Sequence, residues 1–211
     1  MILDVLTIAL IQAAIVGSAE VLRHSGLRPL ETRKYAHIVA GCTAALLPFF
    51  VSREAALVCG AVGTFAMGYL VFKGFVRSIG EGGKVDAGAL GFPLGLTLAA
   101  LFFWGESALA FQYAALMLAL PDAAAGYIGQ KYGAPGSKGA KTYLGGAVFF
   151  SLSFAVTFAL LLALEATGAA FALSLIAAAV LTATEALSGK LPDNVTVPLV
   201  AGLIAVYLFA L

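Results

Sequence analysis

The segment FQYAALMLALPDAAAGYIGQKYG, residues 111–133, is central to the interpretation of this sequence. Apolar residues fill its first half, and Pro121 and Asp122 follow them. An ionisable group inside an apolar run is costly to bury and by default suggests a function. Because Pro121 disfavours a regular helix at the residue before it, we expect Asp122 to lie at the start of a fresh helical segment.

The composition of the whole chain is that of a membrane protein. Of its 211 residues, 62% are apolar and 11% are charged, whereas soluble domains carry roughly twice that share of charge. The apolar residues form runs near the length of about 20 that crosses a bilayer as a helix. We therefore predict an all-α, polytopic integral membrane bundle, with residues 1–211 forming a single transmembrane domain. The first run lacks a basic leader, so we interpret it as a retained span.

The apolar runs predict about eight spans, with seven as the alternative because two runs are marginal in length. Their approximate bounds are 2–22, 36–51, 55–76, 88–104, 107–129, 146–164, 169–186 and 194–211. Of the 12 basic residues, 11 fall in odd-numbered loops, and Arg53 is the exception. The positive-inside rule then makes the odd-numbered loops cytoplasmic and leaves both termini outside, in a protein of the cell membrane. The net charge of +1 says nothing about partners. The sequence shows no basic patch for nucleic acid, so we expect no nucleic-acid partner.

A stripe of small residues follows Asp122. On a helix, Gly126, Gly129 and Gly133 lie within about 40° of Asp122, so the acid stands above a bare backbone groove. Such a stripe is also typical of plain packing between transmembrane helices. The loop beyond it carries Lys131, Lys138, Lys141 and Thr142 among further glycines. A glycine-rich, lysine-bearing loop can wrap phosphate oxygens, although it can also serve simply to set topology.

Two further clusters fall in odd-numbered loops. Arg33, Lys34 and His37 lie at the lip of the second predicted span, where a histidine needs a polar partner. Glu185, Asp193 and Asn194 surround the turn before the last predicted span. Asp193 could simply cap that helix. A carboxylate such as Glu185 near a helix C-terminus is disfavoured unless a positive charge is close.

Together the three clusters supply the groups needed for phosphoryl transfer from a nucleotide to a membrane lipid. Carboxylates hold Mg²⁺, and Mg²⁺ with Lys and Arg neutralises phosphates. We expect Mg²⁺ as the cofactor, held by Asp122, Asp193 and Glu185. The candidate catalytic residues are Asp122, His37 and Glu185, and an acid is the preferred base. The candidate nucleotide-binding residues are Arg33, Lys34, Gly126, Gly129, Lys131, Gly133, Lys138, Lys141, Thr142 and Asn194.

Five segments in order along the chain resemble the membrane polyprenol kinases, which comprise dolichol, phytol and farnesol kinases. They are RKYAHIVAG (33–41), GALGFPLG (88–95), PDAAAGYIGQKYG (121–133), KTYLGG (141–146) and EALSGKLPDNVTVPL (185–199). The resemblance implies a CTP-dependent kinase that takes a long-chain isoprenoid alcohol, such as phytol, geranylgeraniol or a dolichol-like alcohol, from the bilayer. It also allows a homodimer.

Two alternatives follow from the same residues. The related CDP-diacylglycerol synthases are cytidylyltransferases that make a CDP-lipid, and their lysine motif usually reads KTxEG. Leu144 stands where that glutamate would be, which favours the kinase. The second alternative is a small non-enzymatic transporter, with Asp122, Glu185 and His37 along a polar path.

Overall fold

The computed structural model describes residues 1–76, 78–79, 87–133, 141–166, 168–188 and 193–209, with the backbone alone for 87–89. Within these ranges the chain is helical and contains no strand. The helices are α1 (Ile2–His24), α2 (Pro29–Leu46), α3 (Arg53–Phe72), α4 (Ala87–Ala99), α5 (Ala108–Met117), α6 (Ala123–Tyr132), α7 (Tyr143–Ala163), α8 (Ala170–Leu187) and α9 (Asp193–Leu208). A 3-10 turn, Leu47–Phe49, follows α2, and π-helical turns follow α4 (Ala100–Trp104) and α5 (Leu118–Asp122).

Within the described residues, five helices are long and apolar enough to cross a membrane, which agrees with the predicted all-α membrane class. They are Ile2–His24, Arg53–Phe72, Ala108–Tyr132, Tyr143–Ala163 and Ala170–Leu187. The apolar helices Leu90–Trp104 and Asp193–Leu208 are shorter, and α2 carries charged residues through its first half. A count of eight spans therefore stays a prediction.

The helix Ala108–Tyr132 forms the centre of the bundle. In its most apolar window 67% of residues are buried, against 17–28% in the four other long helices. It runs without a break from α5 through the turn Leu118–Asp122 into α6. We call this continuous helix, Ala108–Tyr132, the central rod. Pro121 has no N–H to donate to the preceding turn, and a π-helical turn accommodates that loss. The regular α-helix is thus interrupted where the sequence predicts. Asp122, however, is the last residue of the π-helical turn, and α6 begins one residue later, at Ala123.

Close approaches between helices fix the positions of the elements that carry the clusters. A Cβ atom on Gly95 of α4 would overlap the carbonyl oxygen of Asn194, so α4 and α9 touch backbone to backbone at this point. A Cβ on Gly41 of α2 would come within 2.6 Å of the Ala119 Cβ in the central rod. These contacts are of the kind that small residues permit between membrane helices.

The described parts of the four odd-numbered loops lie at one end of the bundle. Ser78 links the third loop to the first two helices, because its N–H donates to Glu20 (2.7 Å) and its carbonyl accepts from Thr32 (2.9 Å). Lys34 reaches Asp122, and Lys141 reaches Glu185 and Asp193. This clustering is what the sorting of basic residues predicts, while the orientation in a membrane stays a prediction.

Candidate functional site

Asp122, in the central rod, forms a buried cluster with Lys34 and His37 of α2. Its residue is 6% exposed. The Lys34 Nζ lies 3.8 Å from Oδ2 of Asp122, and the His37 Nε2 lies 3.6 Å from the same oxygen. The side chains of Lys34 and His37 are 12% and 9% exposed. A buried carboxylate with a cation beside it is the arrangement that the cost of burying charge demands.

The π-helical turn orients the histidine. His37 Nε2 donates to the carbonyl of Leu118 at 3.0 Å, and because a carbonyl can only accept, Nε2 must carry the proton. In a neutral ring Nδ1 is then the atom that can accept a proton. Phe92 of α4 packs against the imidazole at a centroid distance of 4.3 Å in an edge-to-face arrangement. His37 is thereby held between a carbonyl, a carboxylate and an aromatic face.

A second cluster forms around Lys141, just before α7. Its Nζ lies 2.5 Å from Oε1 of Glu185 and 2.8 Å from Oδ2 of Asp193. Partial burial lowers the pKa of the Lys141 ammonium, but the hydrogen bonds to Asp193 and Glu185 outweigh it and the net shift is upward. Lys141 is therefore the positive charge that Glu185 needs at the C-terminal end of α8. Asp193 also accepts from the N–H of Asn194 at 2.9 Å, at the start of α9.

The two clusters are near each other but distinct. Asp122 lies within electrostatic range of Lys141, Asp193 and Glu185. However, no group of three potential metal-ligating side chains converges anywhere in the residues that the structure describes. The expected set of three carboxylates around one Mg²⁺ is therefore divided: Glu185 and Asp193 share Lys141, whereas Asp122 faces Lys34 and His37.

The glycine stripe below Asp122 serves close approach between helices. A Cβ on Gly126 would collide with the Lys34 ammonium, so the bare backbone gives this lysine room beside Asp122. A Cβ on Gly129 would come within 2.7 Å of the Thr142 hydroxyl and 3.4 Å of Gly145 Cα. Thr142 itself caps α7 by accepting from the N–H of Gly145 at 3.0 Å. Helix packing and capping thus account for Gly129 and Thr142.

The remaining predicted phosphate ligands fall in several places. Lys131 is exposed, donates to the Tyr127 hydroxyl at 2.6 Å and lies over the Tyr132 ring. Gly133 ends α6, and Arg33 lies half-buried beside Lys34 on α2. The side chain of Asn194 is buried. Lys138 lies outside the described residues.

Sequence reasoning missed two contributors, the Leu118 carbonyl and the Phe92 ring. Pro121 marks the interruption, but in an α-helix its missing N–H would have served the carbonyl four residues earlier, that of Met117, so the sequence does not single out the Leu118 carbonyl. Phe92 belongs to the GFPLG segment, but nothing in that segment indicates His37 as its neighbour.

Comparisons of the chain with protein-family models, with curated proteins and with solved structures find no match. What the fold and the site define is a helical bundle consistent with a membrane protein. One end of this bundle holds a buried Asp–Lys–His cluster beside a second cluster of two carboxylates and a lysine.

Proposed function

We propose that this protein is a kinase that transfers the γ-phosphoryl group of CTP to a long-chain isoprenoid alcohol at the cytoplasmic face of the membrane. The observation that supports this most is the burial of Asp122 with Lys34 and His37 at the same end of the bundle as Lys141, Glu185 and Asp193. A stable apolar bundle has no need of such a cluster, and membrane proteins place buried charge where it serves function.

The buried cluster suits the alcohol. In the proposed reaction the lipid hydroxyl donates a hydrogen bond to the Asp122 carboxylate, which takes the proton as the oxygen attacks the γ-phosphorus. The bond between that phosphorus and the β,γ-bridging oxygen breaks, and CDP leaves with the bridging oxygen. Lys34 stabilises the Asp122 carboxylate before transfer, and His37 holds the π-helical turn in position through Leu118.

The second cluster suits the nucleotide. Mg²⁺ is usually held by one or two carboxylates together with substrate phosphates, and Glu185 and Asp193 fit this pattern because their oxygens already converge on one cation, the Lys141 ammonium. The metal would neutralise charge on the phosphates. If both carboxylates held the metal, the Lys141 ammonium would be available to contact the phosphates. Arg33, which lies next to Lys34 on α2, would add a further positive charge.

The decisive experiment measures transfer of label from γ-³²P-CTP to phytol or geranylgeraniol by the purified protein in lipid nanodiscs. We expect Asp122→Asn to lower turnover by at least about 100-fold, the range of acid–base contributions. Asp4→Asn is the matched control, because Asp4 is a carboxylate at the opposite end of the bundle that accepts from Ser52. Its turnover should equal that of the wild type.

Two results would reject the kinase. Release of pyrophosphate instead of CDP would indicate the cytidylyltransferase. Absence of nucleotide-dependent chemistry, with a thermal stability indifferent to CTP and solute movement across liposomes, would indicate a transporter. Turnover of Asp122→Asn at the wild-type rate would remove Asp122 from the mechanism.

A further inference from the structure

A cavity of about 390 Å³ lies between α2, α5 and α7. Its walls include Ala45 from α2 and Phe49 from the 3-10 turn after it, Gln112 and Tyr113 from α5, and Leu160 from α7. Phe49 is 69% exposed on the outside of the bundle, so the cavity has a rim on the surface that would face lipid. We call this cavity the lateral groove.

The polar atoms of Gln112 and Tyr113, two side chains of the groove, are hydrogen-bonded within the protein. Gln112 donates to the carbonyl of Ala45 at 2.9 Å, and the Tyr113 hydroxyl is bonded to the Thr157 hydroxyl at 2.8 Å. With those atoms engaged inside the protein, the walls offer hydrocarbon and ring surface. A ligand that fits such a surface has no polar groups along its length, because each would lose its hydrogen bonds there.

The groove lies further along the same two helices than the buried cluster, and the close contact between Gly41 and Ala119 lies between them. Ala45 follows His37 by eight residues on α2, which places it about 12 Å further along the axis. Gln112 precedes Asp122 by ten residues on the central rod, about 15 Å away in the same direction. Phe49, at the far rim, lies about 18 Å from His37 if the helical rise continues. The tail of a lipid whose hydroxyl met Asp122 would therefore reach the level of the groove, which spans the half-thickness of the roughly 30 Å hydrocarbon layer and slightly more.

We propose that the lateral groove binds the hydrocarbon tail of the lipid whose hydroxyl meets Asp122, and that it accepts one chain and not two. This inference rests on the proposed kinase function and specifies its substrate. The volume of about 390 Å³ is near the lower end of ligand pockets, about 300–1,000 Å³, which suits a single chain. A single-chain isoprenoid alcohol fits this groove better than a diacyl lipid.

The test uses a geranylgeraniol analogue with a diazirine near the end of its tail, photolysed in nanodiscs without nucleotide and mapped by mass spectrometry. We expect adducts between Cys42 and Phe49, on α2 and the 3-10 turn after it, and on α5 between Leu109 and Leu116. Phytol should compete for labelling at least tenfold better than a diacyl phosphatidic acid. Adducts confined to the outward faces of α1 and α3, or equal competition by the diacyl lipid, would overturn the proposal.

Variants make the test specific. Ala45→Phe fills the groove from a position that is 5% exposed, and we expect at least a tenfold loss of labelling at α5. Val58→Phe is the control, because Val58 is 50% exposed on α3 and the phenyl ring introduced there lies outside the groove. Leu160→Phe, from α7, serves as a second filling variant if Ala45→Phe fails to fold. Unchanged labelling in a folded filling variant would overturn the proposal.

The outcomes distinguish a failure of the tail-binding proposal from a failure of the proposed kinase activity. Labelling in the groove by a protein that transfers no phosphate would reject the kinase and retain the groove as a site for one hydrocarbon chain. Phosphate transfer with labelling elsewhere would reject the groove and retain the kinase.

Discussion

Two π-helical turns lie in the part of the chain that the structure describes, and they have the same backbone geometry but different surroundings. At Ala100–Trp104, Arg53 from α3 donates to the carbonyls of Ala100 (3.3 Å) and Leu101 (2.6 Å). At Leu118–Asp122, His37 from α2 donates to the carbonyl of Leu118 (3.0 Å). In both, a basic side chain from another helix satisfies carbonyl groups of a widened turn. The first turn contains no carboxylate, whereas the second ends on buried Asp122 with Lys34 beside it.

We interpret the turn Ala100–Trp104 as structural and the turn Leu118–Asp122 as part of the proposed site. Arg53 holds a helix end in place near the surface, where its lost hydrogen bonds could be replaced by water. His37 and Lys34 hold a carboxylate where water has little access, so the same kind of contact there also sets the position and charge of a reactive group. π-helical turns are frequent at functional sites, and only the second of these two carries the groups for chemistry.

The largest expected effect in this comparison is on stability, from removal of the cation at each turn. Lys34→Met leaves the Asp122 charge buried without its cation, which we expect to lower the free energy of unfolding by about 3–5 kcal/mol. Arg53→Met removes hydrogen bonds near the surface and should cost about 1–2 kcal/mol. Unfolding in bicelles by titration with SDS measures both.

A double variant provides the control for Lys34. Lys34→Met combined with Asp122→Asn removes both charges, so we expect most of the lost stability to return. If the stability losses of Lys34→Met and Asp122→Asn simply add in the double variant, Lys34 and Asp122 are not coupled. The proposed difference between the two π-helical turns would then be wrong.

The next effect distinguishes the imidazole from the hydrogen bond that it makes. The amide N–H of a glutamine can replace the donor to Leu118, so we expect His37→Gln to keep turnover close to the wild-type value. His37→Ala loses the bond and should lower turnover about tenfold, the equivalent of one hydrogen bond. Steady-state labelling with γ-³²P-CTP measures both variants. Equal losses in the two would mean that the ring itself takes part in proton transfer.

The smallest effect concerns the exposed end of the site. The pKa of Lys141 is raised above its ordinary value of 10.5 by Asp193 and Glu185, against the effect of its burial. A raised pKa in the folded state contributes stability below the unfolded pKa and loses it as the pH rises through the folded pKa. We therefore expect the Tm of the wild type to fall towards that of Lys141→Met only above about pH 10.5, by an amount equivalent to about 1 kcal/mol or less, since the group is partly exposed. A difference in Tm that disappears below pH 9 would contradict this.

Much of the helical organisation could be predicted from the sequence, because apolar runs and charge spacing report directly on burial. The predicted ends agree with α1, α8 and the central rod within a few residues, and the interruption at Pro121 was placed correctly. The number of spans was not settled, because α2, α4 and α9 are too short or too polar for length and composition to decide.

The pairing of side chains within the site could be predicted much less well. Lys34 was predicted to bind phosphate, yet its ammonium lies against Asp122, 88 residues away in the chain. Lys131 and Lys141 are both lysines near the same predicted loop. Lys141 contacts Glu185 and Asp193, whereas Lys131 donates to Tyr127. The rotation of each helix about its axis decides such pairs, and that rotation depends on packing between distant segments. The lateral groove arises in the same way, from the spacing of three helices.

The backbone contact between Gly95 and Asn194 has a consequence for saturation mutagenesis. Even alanine at position 95 would push apart two main chains, so every substitution there should score as damaging, as severely as changes at Asp122. Mutational intolerance alone would thus mark a position that has no side chain and takes no part in chemistry. A useful scan of this protein must therefore score abundance separately from turnover, since Gly95 variants should lose the first and Asp122 variants the second.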